Sequence, residues 1–169
     1  MSRRDLVLGP MGLRFHGRLI PCAIGRGGVT RAKREGDGAT PAGRHDIIGL
    51  LYRPDRVARA ALPGWARPIG AFDIWSDDPR DPDYNHYLSG APGHPYGHER
   101  LRRPDPLYDI VLLTDWNWPR ARKGAGSAIF LHIWRGPRRP TGGCIAFDRR
   151  DLLWIVNRLA PGDGLWRTI

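Results

Sequence analysis

Residues 127–147 read SAIFLHIWRGPRRPTGGCIAF, and they decide how the rest of the chain is interpreted. An apolar, β-branched run ends in His132, and Cys144 follows two glycines after a basic loop at 135–140. The two residues are twelve positions apart, which is too far for neighbours on one helix. We expect a strand, the loop and a returning strand to bring them side by side. Because an imidazole can hold a nearby thiol as a thiolate, this stretch predicts a cysteine nucleophile.

Length and composition favour a single domain over residues 1–169. The chain is 41% hydrophobic and 26% charged, which excludes an intrinsically disordered protein and allows a buried core. Its 22 glycines and 16 prolines require frequent turns. We therefore expect a mainly β fold with long loops and one or two short helices, not a helical bundle.

The formal net charge is +10, and a basic surface favours polyanions such as nucleic acid or an anionic cell envelope. The arginines form no long run, so an Arg-rich solvated surface explains the charge as well. The sequence has no apolar segment typical of a signal peptide and no stretch near the ~20 apolar residues of a membrane span. Taken alone, this predicts either a soluble cytoplasmic protein or one whose export segment is absent from this sequence.

Apolar runs predict strands, and glycine- and proline-rich polar stretches predict loops. The first two strands form a hairpin that turns at 9–10, and a short helical turn is possible at 53–65. Two long segments, 25–43 and 76–106, lack an apolar period and are expected to be loops. The first is either a solvated turn or part of a binding wall, and the second is expected to line a cleft. The strands are expected at 6–8, 13–16, 19–24, 47–52, 71–75, 107–113, 128–133, 144–147 and 164–169.

A helix is expected to begin after Asp148, which is a favourable N-cap residue. Its apolar residues recur at helical spacing and should face the core. They are Leu152, Ile155, Val156 and Leu159. Pro161-Gly162 is expected to end the helix.

Cys144 can also be interpreted as a buried structural cysteine. The preceding Gly142 and Gly143 favour the nucleophile, because glycines at a strand entry mark tight backbone or close access by a ligand. The amides of Gly143 and Cys144 are the expected oxyanion donors. His132 is the expected base, with a backbone carbonyl to orient it. Cys22 lies in an apolar run and is expected to be buried, and a disulfide with Cys144 is the alternative.

A metal site would use the same residue types. His94 and His98 have helical spacing, but Pro95 and Gly97 argue against a helix there. The chain has no CxxC, HExxH or phosphate-binding glycine motif. Neither a metal nor another cofactor is therefore expected.

Aromatic residues suggest a different class of function. Trp116, Trp118, Trp134 and Tyr108 could stack on nucleic-acid bases. Tryptophans in β-rich folds lie more often in the core or in a cleft wall, and no RNA-binding signature is present. Nucleic acid is therefore not the expected partner, and a non-catalytic basic binding protein stays an alternative.

At GSAIFLH and TGGCIAF the sequence resembles the catalytic core of the L,D-transpeptidases, the YkuD-like family. The usual pattern is a strand ending in His, a variable loop, and then Ser/Thr-His-Gly-Cys-Ile/Val-Arg. Positions 141 and 143–145 match, whereas Gly142 replaces the second His and Ala146 replaces the Arg. Further similarity lies in EGDGATPAG at 35–43, which is like the family's G-D-x-x-T-P-x-G segment, and at 75–79, 84–85 and 126–128.

The resemblance implies a flattened β-sandwich or barrel-like fold and a two-step acyl transfer on peptidoglycan. Cys144 would attack the carbonyl after an L-centre of a donor stem peptide and release a terminal D-amino acid. An amine of a second stem would then resolve the thioester, with His132 acting as base and then as acid. The residues expected to contact the substrate are Thr141, Gly142, Trp134, Tyr84 and Asn85.

The implied product is a cell-wall cross-link of the 3,3 or 1,3 type. Because Gly142 and Ala146 depart from the pattern, a cysteine hydrolase of the L,D-carboxypeptidase or amidase type on the same scaffold is the alternative. The family acts outside the cytoplasmic membrane, which implies a periplasmic or cell-envelope location although no signal peptide is visible. The sequence leaves the oligomeric state open.

Overall fold

The computed structural model describes residues 5–167, and within them the chain is mainly β with one α-helix and one 3₁₀ turn. The predicted fold class is confirmed. The strands are β1 (Leu6–Gly9), β2 (Gly12–Phe15), β3 (Arg18–Ile20), β4 (Cys22–Ala23), β5 (Val29–Thr30), β6 (Thr40–Pro41), β7 (Gly43–Tyr52), β8 (Arg67–Pro68), β9 (Ile74–Ser76), β10 (Tyr87–Leu88), β11 (His98–Arg100), β12 (Ile110–Thr114), β13 (Phe130–Ile133), β14 (Ile145–Phe147) and β15 (Gly164–Arg167). The 3₁₀ turn spans Arg59–Ala61 and the helix α1 spans Arg149–Val156. None of the helical segments within 5–167 is long and apolar enough to cross a membrane.

The main sheet runs in the order β3-β2-β1-β15-β7-β12-β13-β14-β4, with β8 beside β7. Its two ends, β3 and β4, are consecutive in the chain and are separated only by Pro21, so the sheet is nearly closed like a barrel. The single strand predicted at 19–24 is therefore wrong. Proline lacks the N–H that a sheet ladder needs, and the chain changes its strand partner at this residue.

Other strand predictions differ from the structure mainly at their ends. The hairpin of β1 and β2 is confirmed, and so is the short helical turn predicted within 53–65. The loop expected at 25–43 contains β5 and β6, which pair with each other. The starts of four strands shift by two residues or more: β7 begins at Gly43, β9 at Ile74, β12 at Ile110 and β13 at Phe130. Positions 168–169 of the predicted closing strand lie outside the described residues.

The strands β13 and β14 are parallel neighbours, with Leu131 opposite Ile145 and His132 opposite Ala146. A returning, antiparallel strand was expected, and this is wrong. The connection first passes beside the loop after β4, where the Thr141 amide donates to the Ile24 carbonyl at 2.9 Å. The chain therefore enters β14 in the same direction as β13, as a parallel pair requires.

Alternation along β13 separates the core from the cavity side. Leu131 and Ile133 pack in the main core, whereas Phe130 belongs to a second cluster on the opposite face. His132 shares that opposite face with Phe130. The helix α1 covers the main core with Leu152, Ile155 and Val156, and Leu159 is also buried as predicted.

The helix begins as predicted, because the Asp148 carboxylate accepts the Arg150 amide at 2.9 Å. It ends at Val156, earlier than the predicted stop at 161–162. Asn157 follows as the C-cap residue, and its amide donates to the Leu153 carbonyl at 2.9 Å. This bond satisfies a carbonyl in the last turn where the helix stops.

Asn85 connects the 76–106 segment to the loop between β12 and β13 of the main sheet. This segment contains β10 and β11, which flank β9 in a small three-stranded sheet. Asn85 is almost fully buried, and all four hydrogen-bonding positions of its amide are used. Oδ1 accepts the Trp75 indole N–H and the Ala128 amide, and Nδ2 donates to the carbonyls of Trp116 and Asn117.

Replacing Asn85 with alanine should lower the free energy of unfolding by about 3 kcal/mol, because two buried N–H donors lose their acceptor. Urea unfolding measures this change. Asn157→Ala is the control, because its amide is exposed and the loss should stay below about 1 kcal/mol. Equal small losses in both variants would show that Asn85 does not hold the segment in place.

Candidate active site

The thiol of Cys144 lies at the entrance to β14 and is 8% exposed. Its Sγ donates to the Ala128 carbonyl at 3.1 Å and accepts the Phe130 amide at 3.4 Å. Ala128 has a left-handed backbone, with φ +51°, and its amide is held by Asn85. The carbonyl that accepts the hydrogen bond from the thiol therefore belongs to a residue with a strained backbone, and Asn85 maintains that conformation.

His132 lies on the same side of the sheet as Cys144 and is 5% exposed. Its Nδ1 is 2.8 Å from the Ile133 carbonyl, so Nδ1 carries the proton and Nε2 keeps the lone pair. Burial lowers the pKa of the imidazole to about 4. The ring is therefore neutral at pH 7, and Nε2 is the atom that can act as a base.

Both side chains line one cavity of about 440 Å³. Within residues 5–167, however, Nε2 of His132 has no hydrogen-bond partner, and the thiol hydrogen is directed at the Ala128 carbonyl. A neutral imidazole lacks the positive charge that stabilises a thiolate. In the resting arrangement His132 is therefore a neutral base, and the Cys144 thiol donates to a backbone carbonyl.

Two threonines fix the turn before Cys144. Thr141 Oγ1 donates to the Cys144 carbonyl at 2.6 Å and accepts the Gly143 amide at 3.1 Å. Thr40, which is fully buried, donates to the Gly143 carbonyl at 2.7 Å and accepts the Gly25 amide at 2.9 Å. Thr141 was predicted from the sequence to contact the substrate. In the structure its hydroxyl stabilises the turn before Cys144.

The five predicted substrate contacts divide into two groups. Thr141 and Gly142 line the cavity, whereas Tyr84, Asn85 and Trp134 are not among the residues that line it. Asn85 is committed to its four protein partners, and it reaches the site only through the Ala128 amide. Tyr84 is buried and donates its hydroxyl to Glu35, which does line the cavity.

A family model for L,D-transpeptidase catalytic domains, YkuD, matches residues 12–167. The chain belongs to this family. A search among curated proteins gave no match. YkuD domains are L,D-transpeptidases that act on peptidoglycan stem peptides, typically in the cell envelope.

The two departures from the YkuD pattern have different structural settings. Ala146 is fully buried and faces His132 on one side and Ala23 on the other, so the usual arginine would not fit without rearrangement. Gly142 has no atom within 4 Å of the position that a Cβ would take. A side chain at Gly142 would therefore extend into open space at the cavity wall.

Sequence reasoning missed most of the charged wall of this YkuD cavity. The acidic members are Glu35, Asp77 and Glu99, and the basic members are Arg26, Lys33, Arg103, Arg135 and Arg139. The only signal was indirect: 76–106 was expected to line a cleft and 25–43 was considered as part of a binding wall, and these segments supply all three acids. Tyr108, which was weighed as a stacking residue, packs edge-on against the His132 ring at 5.3 Å.

Gly143 and Gly142 form a matched pair for testing the turn. Gly143 has φ +143°, and a Cβ there would lie 2.9 Å from the Ala39 carbonyl oxygen. Gly143→Ala should lower the free energy of unfolding by about 1–3 kcal/mol and slow alkylation of Cys144. Gly142→Ala should change neither. Urea unfolding measures the stability and the rate of reaction with iodoacetamide measures the alkylation. If Gly143→Ala and Gly142→Ala changed these two quantities equally, the strained turn at Gly143 would not be what positions Cys144.

Cys22 does not obscure that measurement. It is half-buried, and burial raises the pKa of its thiol to about 11. Cys22 and Cys144 are not joined by a disulfide, so the alternative pairing is wrong.

The low pKa of His132 predicts how stability depends on pH. The unfolded chain binds a proton near pH 6.5 and the folded chain only near pH 4, so stability is lost as pH falls between these values. The loss from this group is about 3 kcal/mol. In His132→Gln the free energy of unfolding should fall less between pH 6.5 and 4. Urea unfolding at a series of pH values measures this difference. If the free energy of unfolding fell equally in both proteins between pH 6.5 and 4, His132 would not be the buried neutral group that causes the loss.

Proposed function

We propose that this YkuD domain is a peptidoglycan L,D-transpeptidase with Cys144 as nucleophile and His132 as base. The observation that carries the proposal is that His132 in β13 and Cys144, which directly precedes the parallel strand β14, line the same cavity. Among residues 5–167, no other thiol lines that cavity. We further propose that residues 1–169 form one catalytic domain that acts in the periplasm or cell envelope, where the family typically works.

Acylation begins from the neutral pair. The thiol turns away from the Ala128 carbonyl, Nε2 of His132 takes its proton, and Sγ attacks the carbonyl carbon after the L-centre of the donor stem. His132 then gives this proton to the leaving nitrogen, which releases a D-amino acid and leaves a thioester on Cys144. The Ile133 carbonyl keeps the proton on Nδ1 throughout, so it takes the orienting role of the third member of a triad.

The amides of Gly143 and Cys144 are the proposed oxyanion donors. In the resting structure the Gly143 N–H is bonded to Thr141 Oγ1 at 3.1 Å, near the long end of the usual range. A negatively charged oxygen is a stronger acceptor than a hydroxyl. Formation of the tetrahedral intermediate therefore draws this amide away from Thr141.

An amine of a second stem then resolves the thioester and forms a 3,3 or 1,3 cross-link. The basic side chains of Arg26, Arg135 and Arg139 at the cavity wall suit the carboxylates of stem peptides. They give the cavity a means of binding two peptides that each carry negative charge.

Hydrolysis of the same thioester is the second candidate function. The open space beside Gly142 favours it, because a side chain at this position of the cavity wall would reduce the room for water. Water that enters there would release a shortened stem instead of a cross-linked dimer.

Incubation of the purified protein with a disaccharide-tetrapeptide should give cross-linked dimers and a free D-amino acid, which mass spectrometry detects. Cys144→Ala should abolish both products, and His132→Gln should slow them by about 10²–10⁴-fold. Cys22→Ala is the matched control and should behave as the unaltered protein. Dimers that persist in Cys144→Ala would refute the proposal, and shortened stems without dimers would favour the hydrolase.

A further inference from the structure

One wall of the cavity is acidic, and the acylation chemistry does not use it. Glu35, Asp77 and Glu99 all line the cavity that contains Cys144. Within residues 5–167, none of these three carboxylates forms an ion pair with a basic side chain. Two of the basic side chains in the cavity form ion pairs with other acids: Lys33 binds Asp37 and Arg103 binds Asp105.

Glu99 is the acid connected to the reacting pair. It accepts a hydrogen bond from the hydroxyl of Tyr108, a buried residue whose ring packs against His132 at 5.3 Å. One aromatic ring therefore separates the Glu99 carboxylate from the base. The guanidinium of Arg103 lies over the Tyr108 ring at 5.0 Å, but its nitrogens form a two-bond fork with Asp105.

The three acids also disfavour each other's charge. Burial raises the pKa of Glu99, and the charges of Asp77 and Glu35 add to the effect. Burial and the charge of Glu35 raise the pKa of Asp77. A cationic group bound between them relieves this repulsion. The buried His132, with Nε2 unpartnered at the same cavity, marks where the reacting atoms of that ligand must lie.

The second half of the proposed reaction requires two proton transfers. An acceptor amine enters as an ammonium ion and must lose one proton before it can attack the thioester. It loses another as the amide forms, and His132 passes that proton to the departing sulfur of Cys144. The first proton needs a different acceptor in the same cavity.

We propose that Glu99 takes the first proton from the acceptor ammonium ion, while Asp77 and Glu35 hold that cation beside the thioester. The inference rests on the proposed transpeptidase function. The ammonium ion and the Glu99 carboxylate become an amine and a carboxylic acid. The amine then attacks, an amide and the Cys144 thiol form, and Glu99 later releases its proton to solvent.

The test uses the full chain and the substitution E99Q, which keeps an acceptor for the Tyr108 hydroxyl. With a disaccharide-tetrapeptide, E99Q should form the thioester at the unaltered rate but make cross-linked dimers at least tenfold more slowly relative to hydrolysis. Hydroxylamine, which is already neutral at pH 7, should be acylated equally by both proteins. Cross-linking by E99Q should recover as pH rises, because the ammonium ion then loses its proton to solvent.

Two further variants separate this role from a structural one. Asp77→Asn keeps the shape of the side chain and removes its charge, and it should raise the acceptor concentration needed for half-maximal cross-linking about tenfold or more. Asp83→Asn, in the same segment but exposed and outside the cavity, should change nothing.

An unchanged ratio of dimer to hydrolysed product in both E99Q and Asp77→Asn would overturn the inference. Equal losses of thioester formation and transfer in E99Q would also overturn it, because Glu99 would then act only by supporting Tyr108 and His132. If the unaltered protein formed no thioester at all, the proposed function would fail, and this outcome is distinct from the other two.

Discussion

The candidate site depends on the buried hydroxyl of Thr40. By donating to the Gly143 carbonyl and accepting the Gly25 amide, it joins the 25–43 loop to the turn before Cys144. A buried hydroxyl bonded on both sides resists displacement, because each broken bond would leave a polar group without water or a protein partner. The unusual backbone of Gly143 is therefore maintained by contacts from a distant part of the chain, and the orientation of the thiol follows from it.

Burial determines the chemistry of the resting pair. A charged imidazole would be poorly solvated at the position of His132, so the ring stays neutral and its lone pair remains available through the physiological pH range. The thiol is held by Ala128, whose strained backbone is kept in place by Asn85. The thiol must therefore leave the Ala128 carbonyl before it can donate a proton to His132.

The sequence predicted the parts of the site that depend on local pattern. An apolar alternation ending in His132 and a Gly-Gly-Cys turn are both short-range signals, and the structure brings both residues to one cavity. The change of strand partner at Pro21 also had a local signal, the missing N–H, which the strand prediction did not use. The parallel pairing of β13 and β14 had none, because it follows from where the connecting loop crosses a distant strand end.

The charged wall was unpredictable for the same reason. Glu35 accepts hydrogen bonds from Tyr84 and Ser127, which lie 49 and 92 positions away, so its place in the cavity is visible only in the folded chain. The formal net charge of +10 predicts a basic cavity surface, whereas Glu35, Asp77 and Glu99 are acidic. Lys33 and Arg103 line the same cavity, but they form their ion pairs with Asp37 and Asp105 and not with these three acids. Within residues 5–167 the cavity is lined both by arginines and by three carboxylates that form no ion pair, and this mixture matches a ligand that carries both a carboxylate and an ammonium group.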